Sequence, residues 1–346
     1  MGGTRRKGSP VSPAAPVPGF DALSPSLSIE AVEETYALRL DGSVFAYPSY
    51  INRVYGLRTE EGEALVVKFY RPGRWTFEAL LEEHRLIADC AEAEIPVVPP
   101  LAAADGSTLG TLELEIDDGT IEYHFALFPK KGGRSFDAES ETDWRRLGSL
   151  TGRLHSVAAK SAARHRLRFD EGLVKGWIDE LRLLVHPEIR DEFEGVVAST
   201  LALVLPRLRS MPVQRIHGDL HRGNILERPG EGLLLIDFDD CMMGPPVQDL
   251  WLLLPDRASK CERELGFLLE GYGEFTSLEP GSVGLIEALR LLRMLHFLAW
   301  RARQRNDAWF AAEFPEWGGR GYWSREVESL REQVDELDRE LDRTSF

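Results

Sequence analysis

The segment from Arg215 to Asp240, RIHGDLHRGNILERPGEGLLLIDFDD, holds the residues best suited to chemistry. Asn224 follows Asp219 at a spacing of five, and Asp237 closes an apolar run, Leu233 to Ile236. A carboxylate that is to take a proton from an attacking hydroxyl must be reserved for that task. A hard divalent cation such as Mg²⁺ wants other oxygen ligands, a carboxylate and an amide carbonyl among them. Asp219 suits the first requirement, and Asn224 with Asp237 suits the second. Together they point to phosphoryl transfer, where metal-bound phosphates and a hydroxyl meet in one cleft.

The spacing of His217, Asp219 and Asn224 fits the H-x-D-x-x-x-x-N loop of kinases, and Asp237 stands where the next motif opens with an acid. Asp and Asn are also good turn residues, so the pattern gains weight from its companions. Val66-Val67-Lys68 sets a cation in an otherwise apolar stretch. There it would meet the α- and β-phosphates of a nucleotide and be held by a helix glutamate. Glu82 and Glu83 both follow on a helix. Glu83 is preferred, because Ile87 and Cys90 continue its face at i+4 and i+7. No glycine-rich phosphate loop precedes the lysine. Residues 47–56 read YPSYINRVYG instead, and Ser49 is either the phosphate-reaching substitute or a plain turn serine after Pro48.

These residues need elements to position them. Tyr36 to Leu40, Asn52 to Leu57 and Leu65 to Tyr70 read as strands, and Thr76 to Cys90 as a helix ending before Ile95-Pro96. Leu112, Leu114 and Ile116 alternate with Glu113 and Glu115. Asp117-Asp118-Gly119 then turns the chain, and Ile121, Tyr123 and Phe125 alternate back, which predicts a hairpin. Beyond Pro129 the connector KKGGRS marks a boundary, after which helices dominate, near 144–154, 176–186, 188–205, 258–275 and 282–303. Two short strand-like pieces, Arg215-Ile216 and Leu233 to Ile236, interrupt them. Val327, Leu330, Val334, Leu337 and Leu341 form a heptad-like seam, read as an amphipathic helix packed on the helical part. The expected organisation is a disordered tail over 1–19, a nucleotide-binding lobe over 20–129, a catalytic and acceptor-binding lobe over 130–324, and a terminal helix over 325–346. The fold class is α+β: a small antiparallel β lobe with one main helix, then a larger mostly α lobe.

With 346 residues and 43% hydrophobic content, the chain can bury a large core without disulfides. Its 57 acidic against 41 basic residues leave a formal net charge of −16, which argues against nucleic-acid partners and anionic membrane surfaces. The longest mostly apolar run, Val196 to Leu205, is too short to span a bilayer. The N-terminal residues lack an apolar core of the signal-peptide kind. Cys90, Cys241 and Cys261 form no CxxC, so a reduced, cytoplasmic protein is expected. A monomer is the separate expectation for its assembly. Cys241 is read as an inert packing thiol. His84, His155 and His296 are read as core or surface residues, and His221 is left without a role.

HGDLHRGN with IDFDD resembles the aminoglycoside-phosphotransferase and choline-kinase-like branch of the protein-kinase fold. SYINRVYGL, VVKFYRPGRW, LLEEHR, FALFPKKGGRSF, TGRLH, GPPVQDLWLLL and FLAWRARQ, in that order from about Ser49 to Trp323, are similar to the bacterial stress response kinase A family of serine/threonine protein kinases. The resemblance implies a two-lobed fold that binds Mg-ATP. It implies Asp219 as proton acceptor, Asn224 and Asp237 as magnesium ligands, Ser49 as an ATP contact and Lys68 as the phosphate-binding lysine. Asp249 resembles the aspartate that braces the catalytic loop. The implied acceptors are Ser or Thr residues of proteins. A small-molecule kinase acting on choline, homoserine or an aminoglycoside is the second expectation, and a catalytically dead pseudokinase the third. Two departures stand out: Ile51 where that family usually has an acid, and Asp239 in place of the glycine of DFG, with no APE segment.

Overall fold

The computed structural model describes residues 19–49, 51–116, 119–307 and 309–344. The expected tail therefore lies almost wholly outside the described residues, as does the Asp117-Asp118 part of the predicted turn. The N-terminal lobe holds α1 (Pro25–Tyr36), β1 (Leu40–Tyr47), β2 (Arg53–Thr59), β3 (Ala64–Phe69), α2 (Phe77–Glu92), β4 (Gly110–Ile116) and β5 (Gly119–Pro129). Its five strands run in the order β1-β2-β3-β5-β4, each pair antiparallel. Phe69, Phe125, Tyr123 and Val67 fill the space between this sheet and α1.

Two sequence expectations are corrected here. Tyr36 to Leu40 is not a strand: Tyr36 ends α1, and only Leu40 begins β1. The missed signal was Ser24-Pro25. Ser24 caps the helix by accepting the Leu27 N–H at 3.2 Å, and proline occupies the first turn, where its missing N–H costs nothing. Ala37 then ends the helix in the left-handed region. The lobe thus has two helices rather than one. The second helix starts as expected, with Thr76 as its cap.

The second lobe comprises β6 (Arg134–Ser135), α3 (Glu141–Ala158), α4 (Glu171–Arg182), α5 (Arg190–Ser210), β7 (Gln214–Ile216), β8 (Ile225–Arg228), β9 (Gly232–Leu235), β10 (Met242–Gly244), α6 (Val247–Trp251), α7 (Glu262–Gly273), α8 (Ile286–Arg303), α9 (Phe310–Glu313) and α10 (Arg320–Thr344). Three strands went unread, β6, β8 and β10, each of two to four residues and too short to show a period. The pair β10–β7 and the sheet β6-β8-β9 present the loops that carry Asp219, Asn224 and Asp237. Helices α3 and α7 cross so closely that a Cβ on Gly148 would lie 2.0 Å from the Leu268 carbonyl oxygen, and one on Gly271 2.1 Å from that of Arg145. Val327, Leu330, Val334 and Leu337 of α10 are buried in the main core, with Leu341 packed against it.

Candidate active site

A cleft of about 390 Å³ opens between the lobes. Val54, Val66, Leu226, Leu235 and Ile236 give it apolar walls, while Ser49, Lys68, Glu83 and Asp237 supply its polar groups. Lys68 reaches it from the central strand β3. Its Nζ lies 3.2 Å from Asp237, 3.2 Å from Asp239 and 3.7 Å from Glu83. Burial alone would lower the lysine's pKa, but the three carboxylates outweigh it and hold the ammonium charged.

The two candidate glutamates part company. Glu83 is buried, faces Lys68, and takes the Tyr70 hydroxyl at 3.2 Å. Glu82 turns outward and accepts the backbone N–H groups of Arg164, His165 and Arg166 at 2.7, 2.9 and 3.1 Å. It thus ties α2 to the chain that follows α3. Ser49 lines the cleft, and its Oγ accepts the Asn52 N–H at 3.3 Å, so it shapes the turn while facing the cavity.

The segment leading into Asp219 is held from behind. Oδ1 of Asp249 accepts the Gly218 N–H at 2.9 Å, and Oδ2 accepts the His217 N–H at 2.8 Å. His155 Nε2 adds a contact to the same carboxylate at 2.9 Å, and Tyr272 joins His155 at 3.1 Å. All five residues are buried. Gly218 has φ of +83°, and a Cβ there would meet the Asp240 carbonyl oxygen at 2.2 Å, so only glycine makes this turn. His217 donates through Nε2 to the Ile236 carbonyl at 3.0 Å, joining the loop to the strand end before Asp237.

Asp219 and Asn224 sit on the turn so held. The Asn224 amide donates to the Asp219 carbonyl at 2.9 Å, so its side-chain oxygen is the atom left to ligate a metal. Its backbone carbonyl takes the Ile236 N–H at 3.0 Å, so Asn224 and Asp237 lie on neighbouring segments. Asp237 has φ of +61°, a conformation a non-glycine residue adopts at a cost, and its carboxylate is half exposed towards the cleft. One amide oxygen and one exposed carboxylate fit a Mg²⁺ ion that takes its other ligands from water and phosphates. Among the described residues no group of three or more His, Cys, Asp or Glu side chains could enclose a metal.

Asp219 carries two further contacts. Arg293 Nη2 lies 2.5 Å from Oδ1, and His221 Nε2 lies 3.5 Å from Oδ2. Burial would raise its pKa, yet the His221 hydrogen bond and the Arg293 charge outweigh that and hold the carboxyl below its usual range. Sequence reading missed Arg293, which no local motif marks. It also gave Asp239 no role. That carboxylate accepts Asn52 at 3.2 Å and pairs with Lys68 and Arg74. The RPGRW segment explains itself here. Arg71 pairs with Asp307, Arg74 with Asp239 and Asp240, and the Trp75 ring lies 3.8 Å from the Arg166 guanidinium carbon. Together they strap β3 to the second lobe.

Residues 46–292 match the phosphotransferase enzyme family known as APH. The chain belongs to this phosphotransferase family. The phosphotransferase is 35% identical over 321 residues to stress response kinase A of Escherichia coli strain K12, covering 91% of this chain and 94% of that one. It is 33% identical over 321 residues to the serine/threonine protein kinase RdoA of Salmonella typhimurium strain LT2, with the same coverage. Among solved structures, the amicoumacin kinase hAmiN in complex with AMP-PNP, Ca²⁺ and Ami superposes with a TM-score of 0.68 at 19% identity, over 89% of this chain and 93% of that one. A microcompartment-associated aminopropanol kinase gives a TM-score of 0.66 at 18% identity, over 92% and 98%. The protein-kinase-like fold of this phosphotransferase is thereby shared with kinases of small molecules. Among the described residues, no helix is long and apolar enough to cross a membrane.

Proposed function

We propose that this phosphotransferase is an ATP-dependent serine/threonine protein kinase of a bacterial stress response. The observation that carries the ATP part is the convergence of Lys68, Glu83 and Asp237 from three separate elements on one apolar-walled cleft. The adenine lies between Val54, Val66, Leu226 and Leu235. Lys68, held by Glu83, meets the α- and β-phosphates, and Ser49 contacts ATP from the turn before β2. Asn224 and Asp237 would hold Mg²⁺, which draws charge from the phosphates when bound.

Asp219 takes the proton of the acceptor hydroxyl. As that proton leaves, the oxygen forms a bond to the γ-phosphorus. The bond from the γ-phosphorus to the bridging oxygen breaks, and its electron pair departs with ADP. Asp249 keeps the loop in place by holding two successive N–H groups.

The protein acceptor rests on the two kinase-named relatives, alike over 91% of this chain. The test is incubation of the purified protein with labelled Mg-ATP and a generic basic protein, and in parallel with aminoglycosides, choline and homoserine. Acid-stable phosphoserine or phosphothreonine, including some autophosphorylation, is the expected product. Efficient turnover of one small molecule with no protein-bound phosphate would overturn the protein-kinase reading in favour of a small-molecule kinase.

A further inference from the structure

The base of the proposed reaction is gripped by an arginine from a distant helix. Arg293 of α8 places Nη2 2.5 Å from Oδ1 of Asp219, 74 residues away in sequence. The other oxygen, Oδ2, has the more distant His221 Nε2 at 3.5 Å. The His221 ring is fixed in turn, because its Nδ1 accepts the Gly223 N–H at 3.0 Å and so leaves the ring proton on Nε2. We infer that Arg293 is a positioning residue for phosphoryl transfer: it pins Oδ1 so that Oδ2 faces the acceptor hydroxyl, and it offsets the charge of Asp219 against the approaching phosphates. This rests on the reading of Asp219 as proton acceptor.

Three observations carry it. The terminal torsion of an aspartate is broad and nearly two-fold, so an unclamped carboxylate presents either oxygen. A clamp is useful only if its own base is rigid, and α8 is: Leu291 and Leu292 are fully buried, with Leu289, Leu295 and Leu298 almost so. Secondly, solvent reaches the pair, with side-chain exposures of 32% for Arg293 and 25% for Asp219. An ion pair this accessible contributes little to folding, so stability alone does not account for it. Thirdly, two other cations of the site are committed to carboxylates of their own. Lys68 serves three carboxylates, and Arg74 serves Asp239 and Asp240. Arg293 is the cation at the base itself, where a bare carboxylate would repel a polyphosphate.

The experiment compares Arg293→Met, Arg293→Lys, Asp219→Asn and the double variant Asp219→Asn with Arg293→Met. ADP formation from Mg-ATP, with the basic protein acceptor present, reads turnover whether protein or water takes the phosphoryl group. Calorimetric titration with a non-hydrolysable ATP analogue and thermal unfolding are run alongside. Arg293→Met is expected to lose kcat on the order of tenfold to hundredfold, the scale of a misplaced reacting group. The unfolding temperature stays near the parent's, nucleotide affinity falls because the Asp219 charge is then bare, and Arg293→Lys recovers part of both losses. In the Asp219→Asn background, Arg293→Met costs little more, because its effect runs through Asp219. Parent-like kcat in Arg293→Met beside an inactive Asp219→Asn overturns the inference, as does a fully additive loss in the double variant. A fully active Asp219→Asn overturns instead the underlying assignment of the base. Should Arg293→Met not fold, Arg293→Gln carries the same expectations.

Discussion

Asp249 accepts the backbone N–H groups of His217 and Gly218 on separate oxygens, at 2.8 and 2.9 Å, from a fully buried position on α6. One carboxylate thus sets the direction of the peptide that leads into Asp219. An asparagine has the same shape but only one acceptor oxygen, so one N–H would face an NH₂ group. Asp249→Asn should lose most turnover and about 1–3 kcal/mol of stability, the cost of a buried donor left unmade. Denaturant unfolding together with an ADP-release assay checks both. Parent-like turnover would show that the loop holds itself.

The two glutamates of α2 should separate by readout. Glu83→Gln removes a charge from the Lys68 cluster and is expected to weaken Mg-ATP affinity. Glu82→Gln leaves the cluster intact but gives up a carboxylate that serves three N–H groups. It should therefore cost stability with nucleotide affinity nearly unchanged. Calorimetric titration and thermal unfolding on the same samples decide; the reverse pattern would reassign the lysine's partner.

Lys68 has a structural part beside the phosphate contact proposed for it. With Glu83, Asp237 and Asp239 all within 3.7 Å, its removal strands buried negative charge. Expected for Lys68→Met is a loss of activity joined to a fall in stability of about 3 kcal/mol even without nucleotide, as when one partner of a buried ion pair is deleted. From sequence the lysine reads as a strand cation for nucleotide phosphates, held by one helix glutamate. The acids that surround it come from α2 and from the segment after β9, so the stability role is invisible without the fold.

That contrast recurs across the site. That Asp219 and Asn224 share one turn was legible from their spacing of five, and that Asp237 follows a strand was legible from the apolar run before it. Lys68 and Glu83 were legible because strand and helix periods restrict which side chains can face each other. Arg293 was not, since a helix arginine 74 positions away has no local pattern to betray it. The first helix was overlooked because Tyr36 to Leu40 alternates in hydropathy, while its start depends on one capping serine and a proline. The short strands β8 and β10 exist through pairing, not through any period of their own.

The buried thiols give a chemical test of packing. Burial pushes the Cys90 and Cys241 thiols up to about 12, with Arg215 and Arg166 only partly countering it. Thiolate, the reactive form, is then scarce at neutral pH. Native protein should react slowly with a disulfide-forming reagent, and rapidly only once unfolded by denaturant. Fast modification of Cys241 in the native state would show instead that this thiol is reactive and not merely packed.

Acid should destabilise the fold partly through His84. Its ring is buried, with Tyr70 at 3.1 Å and Thr108 at 2.8 Å, and burial aided by the charges of Lys68 and Arg166 takes its pKa down to about 3. In the unfolded chain the same group titrates near its ordinary value of about 6.5. Below that pH the unfolded state binds a proton that the folded state refuses. Stability from this group is therefore complete above pH ~6.5 and is lost as pH falls towards 3, by at most about 1.4 kcal/mol per unit. Glutamine can keep hydrogen bonds to both hydroxyls and does not titrate. Comparing urea midpoints of the parent and His84→Gln from pH 7 to pH 4.5 isolates the histidine, since the other acids are common to both. The gap between the two should change in favour of His84→Gln as the pH drops. A gap that stays constant over that range would mean that His84 takes up its proton in the folded state after all, and that the Tyr70 and Thr108 contacts do not hold it neutral.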